Sequence, residues 1–332
     1  AVTVAYIFFW RSDSPEELLN TELENVQKMI PQEQVTITVP KESLISDSAQ
    51  QETEPIDLHI DTEWKTGIGD EITSSPIADE KCLYFGAKDL HVYALDKETG
   101  EIVWKFAATA GIGSSPALSE DAVFIGSYDR YFYKLNKENG KEIWKKRLNS
   151  RIIASPVLWK DRVYIASATG EIVCFRQKDG KEIWSKRISD AVRSKLTCND
   201  ENLFVTSIDN ACYAFSLKNG SQTWRFSSSA PIYSSAILSP DKKSLTFANK
   251  EGIVYFLDVD SGKLKFKVDL QSKIYNSPSF CEKGAAIGTD NGKFYFIENR
   301  SPKIIFSAKE KIWCEPAVSN GFLLVGSYDG NV

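Results

Sequence analysis

The chain is nearly devoid of histidine: His59 and His91 are the only two in 332 residues, and neither has a partner at metal-ligand spacing. Imidazole acid–base catalysis and zinc chemistry both need clustered ring nitrogens, so both are poor readings. Regular cysteine spacing is missing too. Cys82, Cys174, Cys198, Cys212, Cys281 and Cys314 form no CxxC pair and no disulfide framework. Each lies in or beside an apolar run, where a thiol is expected to act as a small buried hydrophobe. A bridge between Cys198 and Cys212 stays open on the even count alone. Excess positive charge is absent, the formal net charge being −5, so nucleic acid is not expected among the partners.

An apolar run long enough to span a bilayer is lacking as well. Ala1 to Trp10 is apolar but only ten residues long, where a spanning helix needs about 20. We read residues 1–11 as part of a transmembrane or signal-anchor segment, contacting the membrane through this anchor only. Residues 12–56 turn to Glu, Gln, Ser, Thr and Pro and read as a flexible linker, with a short helix expected over Pro15–Ile30.

What is abundant is repetition. Trp64, Trp104, Trp144, Trp184 and Trp224 fall 40 residues apart, and Phe266 and Phe306 continue the series. A period near 40 fits a propeller or a helical solenoid. Short runs such as Leu83-Tyr84-Phe85 and Val123-Phe124-Ile125, separated by turn signals, select strands. The expected fold is all-β: a seven-bladed β-propeller of four-stranded antiparallel blades over residues 57–332, with eight blades as the alternative. Strand A carries Ile-x-Ser-Ser-Pro, as at Ile72–Pro76 and Ile112–Pro116, and strand D ends on the tryptophan, which should wedge between blades. Asp57–Trp64 reads as a lone strand D completing a last blade that is truncated at Val332, since closure removes exposed edges.

Ala94–Trp104 (ALDKETGEIVW), with weaker copies at Tyr133–Trp144 and Cys174–Trp184, resembles the tryptophan-docking repeat of the pyrroloquinoline-quinone (PQQ)-like propellers. The resemblance covers most of the chain and supports the fold more than any activity. Quinoprotein dehydrogenases of that superfamily use PQQ, Ca²⁺ and a catalytic Asp, often beside a disulfide between adjacent cysteines. This chain has no adjacent cysteines and no inserted loops, so it is more similar to the non-catalytic BamB-like group. No cofactor, metal site or catalytic residue is expected. No cysteine follows the N-terminal apolar run, which departs from a lipoprotein pattern.

Comparing the units with one another suggests a site. One strand-A column reads Thr73, Gly113, Ile153, Arg193, Tyr233, Tyr275, Trp313; another reads Ser75, Ser115, Ser155, Lys195, Ser235, Ser277, Glu315. Positions held by the architecture should repeat, and those released for function can diverge. Arg193, Lys195, Tyr233, Tyr275, Trp313 and Glu315 are therefore candidate partner- or ligand-binding residues at a channel mouth, of the types enriched in binding hot spots. The plainer alternative is that they fill gaps between blades. The recurrent turn carboxylates Asp89, Asp129 and Asp209 read as turn chemistry rather than metal ligands. The leading functional reading is a membrane-tethered, extracytoplasmic, non-enzymatic scaffold that binds other envelope proteins. The alternatives are a ligand-sensing ectodomain of a membrane receptor or Ser/Thr kinase, whose small ligand the sequence does not identify, and a quinoprotein oxidoreductase.

Overall fold

The computed structural model describes residues 4–9, 64–281, 284–319 and 322–328. The linker helix expected over Pro15–Ile30 lies outside these residues, as does the strand expected at Asp57–Trp64 except for Trp64 itself. Among those described there are strands and turns and no helix, hence no helix long and apolar enough to cross a membrane. Six antiparallel sheets have four strands each in simple sequential order, the arrangement of propeller blades. Blade 1 runs Ile77–Ala78, Cys82–Gly86, His91–Asp96 and Ile102–Ala107 as strands A to D. A seventh sheet has three strands, Ala317–Ser319, Phe322–Ser327 and the N-terminal Val4–Phe9. Val4–Phe9 runs antiparallel to Phe322–Ser327, from Val4 opposite Ser327 to Phe9 opposite Phe322. It holds the place that strand C has in the other blades.

The chain divides into two compact units. One comprises Thr66–Ala236 with Asp258–Lys263, and the other Ala1–Lys65, Ile237–Leu257 and Leu264–Val332. In the first unit each strand-D tryptophan is buried against the following blade. Trp104 Nε1 donates to the Lys137 carbonyl oxygen at 2.8 Å and Trp144 Nε1 to that of Gln177 at 2.9 Å. Trp184 and Trp224 make the same bond to Leu217 and Val259. The ring faces lie on Gly140, Gly180, Gly220 and Gly262, glycines in the C–D turn of the next blade. Those turns need a positive φ, and a Cβ there would run into the indole, so glycine meets two requirements at once.

In the second unit the pattern changes in step. Phe266 replaces the tryptophan, and the following turn has Asn299 and Arg300 at φ 49° and 68° instead of glycine. Arg300 then sets its guanidinium over the Phe266 ring, 5.4 Å from the centroid. The smaller ring leaves the room that a larger turn residue fills.

The turn carboxylates are part of this framework. Tyr93, Tyr133 and Tyr213 each donate a hydroxyl hydrogen bond to the aspartate four residues earlier, Asp89, Asp129 and Asp209. Each bond clamps a B–C turn to its own strand C.

Candidate functional site

The Ile/Val-x-Ser-x segments lie just before strand A (Ile77–Ala78 in blade 1, Thr197–Cys198 in blade 4) rather than on it, which corrects the sequence expectation, and in blades 2 to 4 they alternate between buried and less buried residues. In blade 4, Val192, Ser194 and Leu196 are buried while Arg193 and Lys195 are exposed. The two cations flank Ser194, where the chain bends. The buried column is structural. Ser74 Oγ donates to the Gly86 carbonyl oxygen and accepts from the Gly86 N–H, at 2.8 and 2.9 Å. In blade 7, Cys314 takes the same part with Gly326, its Sγ 2.9 Å from the N and 3.0 Å from the O. Burial raises the Cys314 thiol above its ordinary pKa, which suits a structural sulfur rather than a nucleophile.

The next column links blades. The Ser75 N–H donates to Ser115 Oγ at 2.8 Å, and the Ser115 N–H to Ser155 Oγ at 2.9 Å. Lys195 breaks the series because it brings no hydroxyl to accept from Ser155; the Leu196 N–H bonds the Ser155 carbonyl oxygen instead, at 3.1 Å. The series resumes with the Lys195 N–H donating to Ser235 Oγ at 3.1 Å. The serine hydroxyl therefore has a definite architectural task, and Lys195 occupies a place where that task has been given up.

The six candidate residues fall into two groups, one in each unit. In the first, the Arg193 guanidinium carbon lies 5.9 Å from the centroid of the half-buried Tyr233 ring, with exposed Lys195 beside Ser235. In the second, Tyr275 and Trp313 meet at 5.2 Å between ring centroids. Trp313 Nε1 donates to Asp290 Oδ1 at 2.8 Å, which fixes the indole. Glu315 is exposed two residues on.

Three further residues of this second group escaped the column comparison. Lys311 sets its Nζ 3.8 Å from the Trp313 centroid and 4.7 Å from that of Tyr328. Tyr328 packs on Trp313 at 5.3 Å and is 62% exposed. Asp290 completes the set. Lys311 and Tyr328 lie at strand-flanking positions outside the two columns, and only the fold brings them to Trp313. A repeated Gly-Ser-Tyr-Asp at Gly126–Asp129 and Gly326–Asp329 was the available signal.

Among the described residues, His91 and the recurrent aspartates Asp89, Asp129 and Asp209 are tied into turns. His91 Nδ1 lies 2.8 Å from the Asp89 carbonyl oxygen, and the recurrent aspartates accept from tyrosines. All six cysteines are free thiols, so Cys198 and Cys212 are not bridged. Only Cys174 and Cys212 are fully buried; the other four are partly exposed, which corrects the expectation that all six are interior.

Residues 57–332 match the family model described as "Beta-alanine-activating enzyme, beta-propeller". No curated protein matches the chain by sequence. Among solved structures it is similar to the crystal structure of BamB from Moraxella catarrhalis, with a TM-score of 0.67 and 17% identity. That match covers 82% of this chain and 89% of the other. At such identity the likeness establishes a shared propeller fold.

Proposed function

Because the chain belongs to the β-propeller family of the beta-alanine-activating enzyme, we propose that it is a protein-docking module rather than a catalytic one. Its contact residues are Arg193, Lys195 and Tyr233 in one unit, and Tyr275, Trp313 and Glu315 in the other. The observation that carries this reading is the broken serine series. Where Ser115 and Ser235 accept a backbone N–H from a neighbouring blade, Lys195 presents an exposed cation. Such a departure exchanges the serine-mediated link for the Leu196 N–H bond to Ser155 and frees the side chain at that place, and an exposed arginine beside half-buried aromatic side chains is what binding surfaces use. In a beta-alanine-activating enzyme, the activation chemistry would then reside in other parts of the protein and the propeller would hold those parts or a partner.

A second reading is an envelope scaffold, tethered through residues 1–11 and joined by a linker over 12–56. The apolar Ala1–Trp10 run and the propeller fold shared with BamB favour it. It requires Val4–Phe9 to leave its place beside Phe322–Ser327. Six free thiols fit a reducing compartment better than an oxidising envelope, and this weighs toward the first reading.

The test is crosslinking capture with the tagged chain as bait, comparing wild type with Arg193→Ala/Trp313→Ala. A partner retained by wild type and lost by a folded double variant is the expected result. Equal capture by both would remove these residues from the interface.

A further inference from the structure

Strand D of blades 2 and 3 forms a second surface, independent of the residues before strand A. These strands are Glu142–Arg147 and Glu182–Arg187, and each is the edge strand of its sheet. Two and three residues after the buried tryptophan stand Lys146-Arg147 and Lys186-Arg187. By strand register the same two places hold Phe106-Ala107, Phe226-Ser227, Val268-Asp269 and Phe306-Ser307 in the other four-stranded blades. Blades therefore form without a cation pair there. One lysine per edge strand, such as Lys105, is common protection against edge-to-edge pairing. A doublet confined to two adjoining blades exceeds that need.

Lys146 and Lys186 do two things. Their methylenes cover the tryptophan seam: a Cβ on Gly180 would lie 2.5 Å from Lys146 Cε, and one on Gly220 3.2 Å from Lys186 Cε. Their ammonium groups extend beyond it. Among the described residues, no carboxylate pairs with Lys146, Arg147, Lys186 or Arg187. Grooves flank Lys186 and Arg187 on both sides. One of about 670 Å³ is lined with Tyr213, Phe215, Gln222 and Arg225 besides these two cations. The other, of about 230 Å³, adds Asn149, Glu171 and Ser185. Ile143 and Ile183 stay exposed on the same strands, at 44% and 38%.

We propose that this rim docks an acidic polypeptide segment of a partner protein. Its carboxylates would neutralise Lys146, Arg147, Lys186, Arg187 and Arg225, and its apolar side chains would cover the exposed Ile143 and Ile183. Unpaired cations beside exposed apolar groups select a peptide that carries both chemistries. A nucleic-acid backbone fits less well, because Glu142, Glu171 and Glu182 are interspersed along the rim and would repel a continuous run of phosphates.

Fluorescence anisotropy with the full chain tests this, using a labelled glutamate–leucine peptide as probe and a labelled oligothymidylate in parallel. The peptide should bind wild type in a salt-sensitive manner and bind Lys186→Glu/Arg187→Glu about tenfold or more weakly. Lys303→Glu, an exposed lysine on the blade 6 edge, should bind as wild type does. If the charge reversal fails to fold, Lys186→Gln/Arg187→Gln reports the same loss with less perturbation. Equal binding by wild type and the rim variants would overturn the proposal, as would equal weakening by Lys303→Glu. Tighter binding of the oligothymidylate than of the peptide would also overturn it. Arg193→Ala/Trp313→Ala should keep peptide binding, so this rim and the residues before strand A stand or fall separately.

Discussion

Trp184 donates its indole N–H to the carbonyl oxygen of Leu217 at 3.2 Å, one blade further along the chain. Its ring lies on Gly220 of the same turn, where a Cβ would come within 2.7 Å. The repeated tryptophan and the repeated glycine of neighbouring units are therefore two halves of one contact. That contact explains why the period of the sequence is so regular between Trp104 and Trp224.

Gly220→Ala should accordingly be a poor substitution. It adds a methyl group to the Trp184 face and forces a non-glycine residue to φ +69°, which together cost about 2–4 kcal/mol. Trp184→Ala should cost about 3–5 kcal/mol through the cavity it leaves. Denaturant unfolding followed at equilibrium measures both.

The aspartate–tyrosine clamps should differ in strength. Asp129 also accepts from the Tyr131 N–H and from Thr109, whereas the buried Asp209 Oδ1 has no partner and its Oδ2 depends on Tyr213. Tyr213→Phe should therefore cost more than Tyr133→Phe, within a range of about 1–3 kcal/mol for an orphaned buried acceptor. Melting temperatures of the two variants give the order directly.

Much of this was legible in advance and some was not. The 40-residue spacing of tryptophans identified the blades, since a contact repeated between neighbouring units needs one large ring per unit at constant register. The carboxylates Asp89, Asp129 and Asp209 read as turn residues, but their bonds to tyrosines four residues on emerge only from the structure, and blade 3, with Thr169 and Val173, has neither partner. The serine column was recognised as constrained, but its cause was not, because a hydrogen bond to the next blade leaves no local pattern. The grouping of Lys311 and Tyr328 around Trp313 was equally hidden, as it depends on how the strand ends meet. Val4–Phe9 shows the limit of composition. A short apolar run reads alike as part of an anchor or as a strand, and pairing is a long-range event.

Asp79 gives the protein an acid limit. Burial pushes its pKa upward, but the N–H groups of Cys82 and Lys81 and the Lys137 ammonium 3.1 Å away outweigh burial, lowering the pKa from 3.8 to about 2. A carboxylate with a depressed folded pKa contributes stability that is fully present above its unfolded value. That contribution should be lost as pH falls from about 4 through about 2. Lys137→Met should move the Asp79 titration back toward 3.8 and shift acid unfolding to higher pH. Carboxyl NMR titration together with a pH series of melts checks both.

The thiols should be slow to react in the folded state. Burial raises Cys174 to about 12 and Cys198 and Cys281 to about 11, and it raises Cys212 further still. Thiolate is the reactive form, and little is present near neutral pH. Cys174 and Cys212, which are also fully buried, should be the last to react with a disulfide reagent. Under denaturing conditions all six should titrate at once.

The central claim is that the residues where the repeat departs from its own pattern, Arg193, Lys195 and Tyr233 in one unit and Tyr275, Trp313 and Glu315 in the other, hold a partner protein. Equilibrium binding of the captured partner to wild type, Arg193→Ala/Trp313→Ala and Lys186→Glu/Arg187→Glu tests it most directly, with melting curves to confirm folding. The account predicts that the Arg193/Trp313 variant melts as wild type does and loses binding by at least about tenfold, in keeping with removal of two hot-spot side chains. Unchanged affinity in that variant would contradict it, and loss confined to the Lys186/Arg187 variant would assign the partner to the basic rim instead.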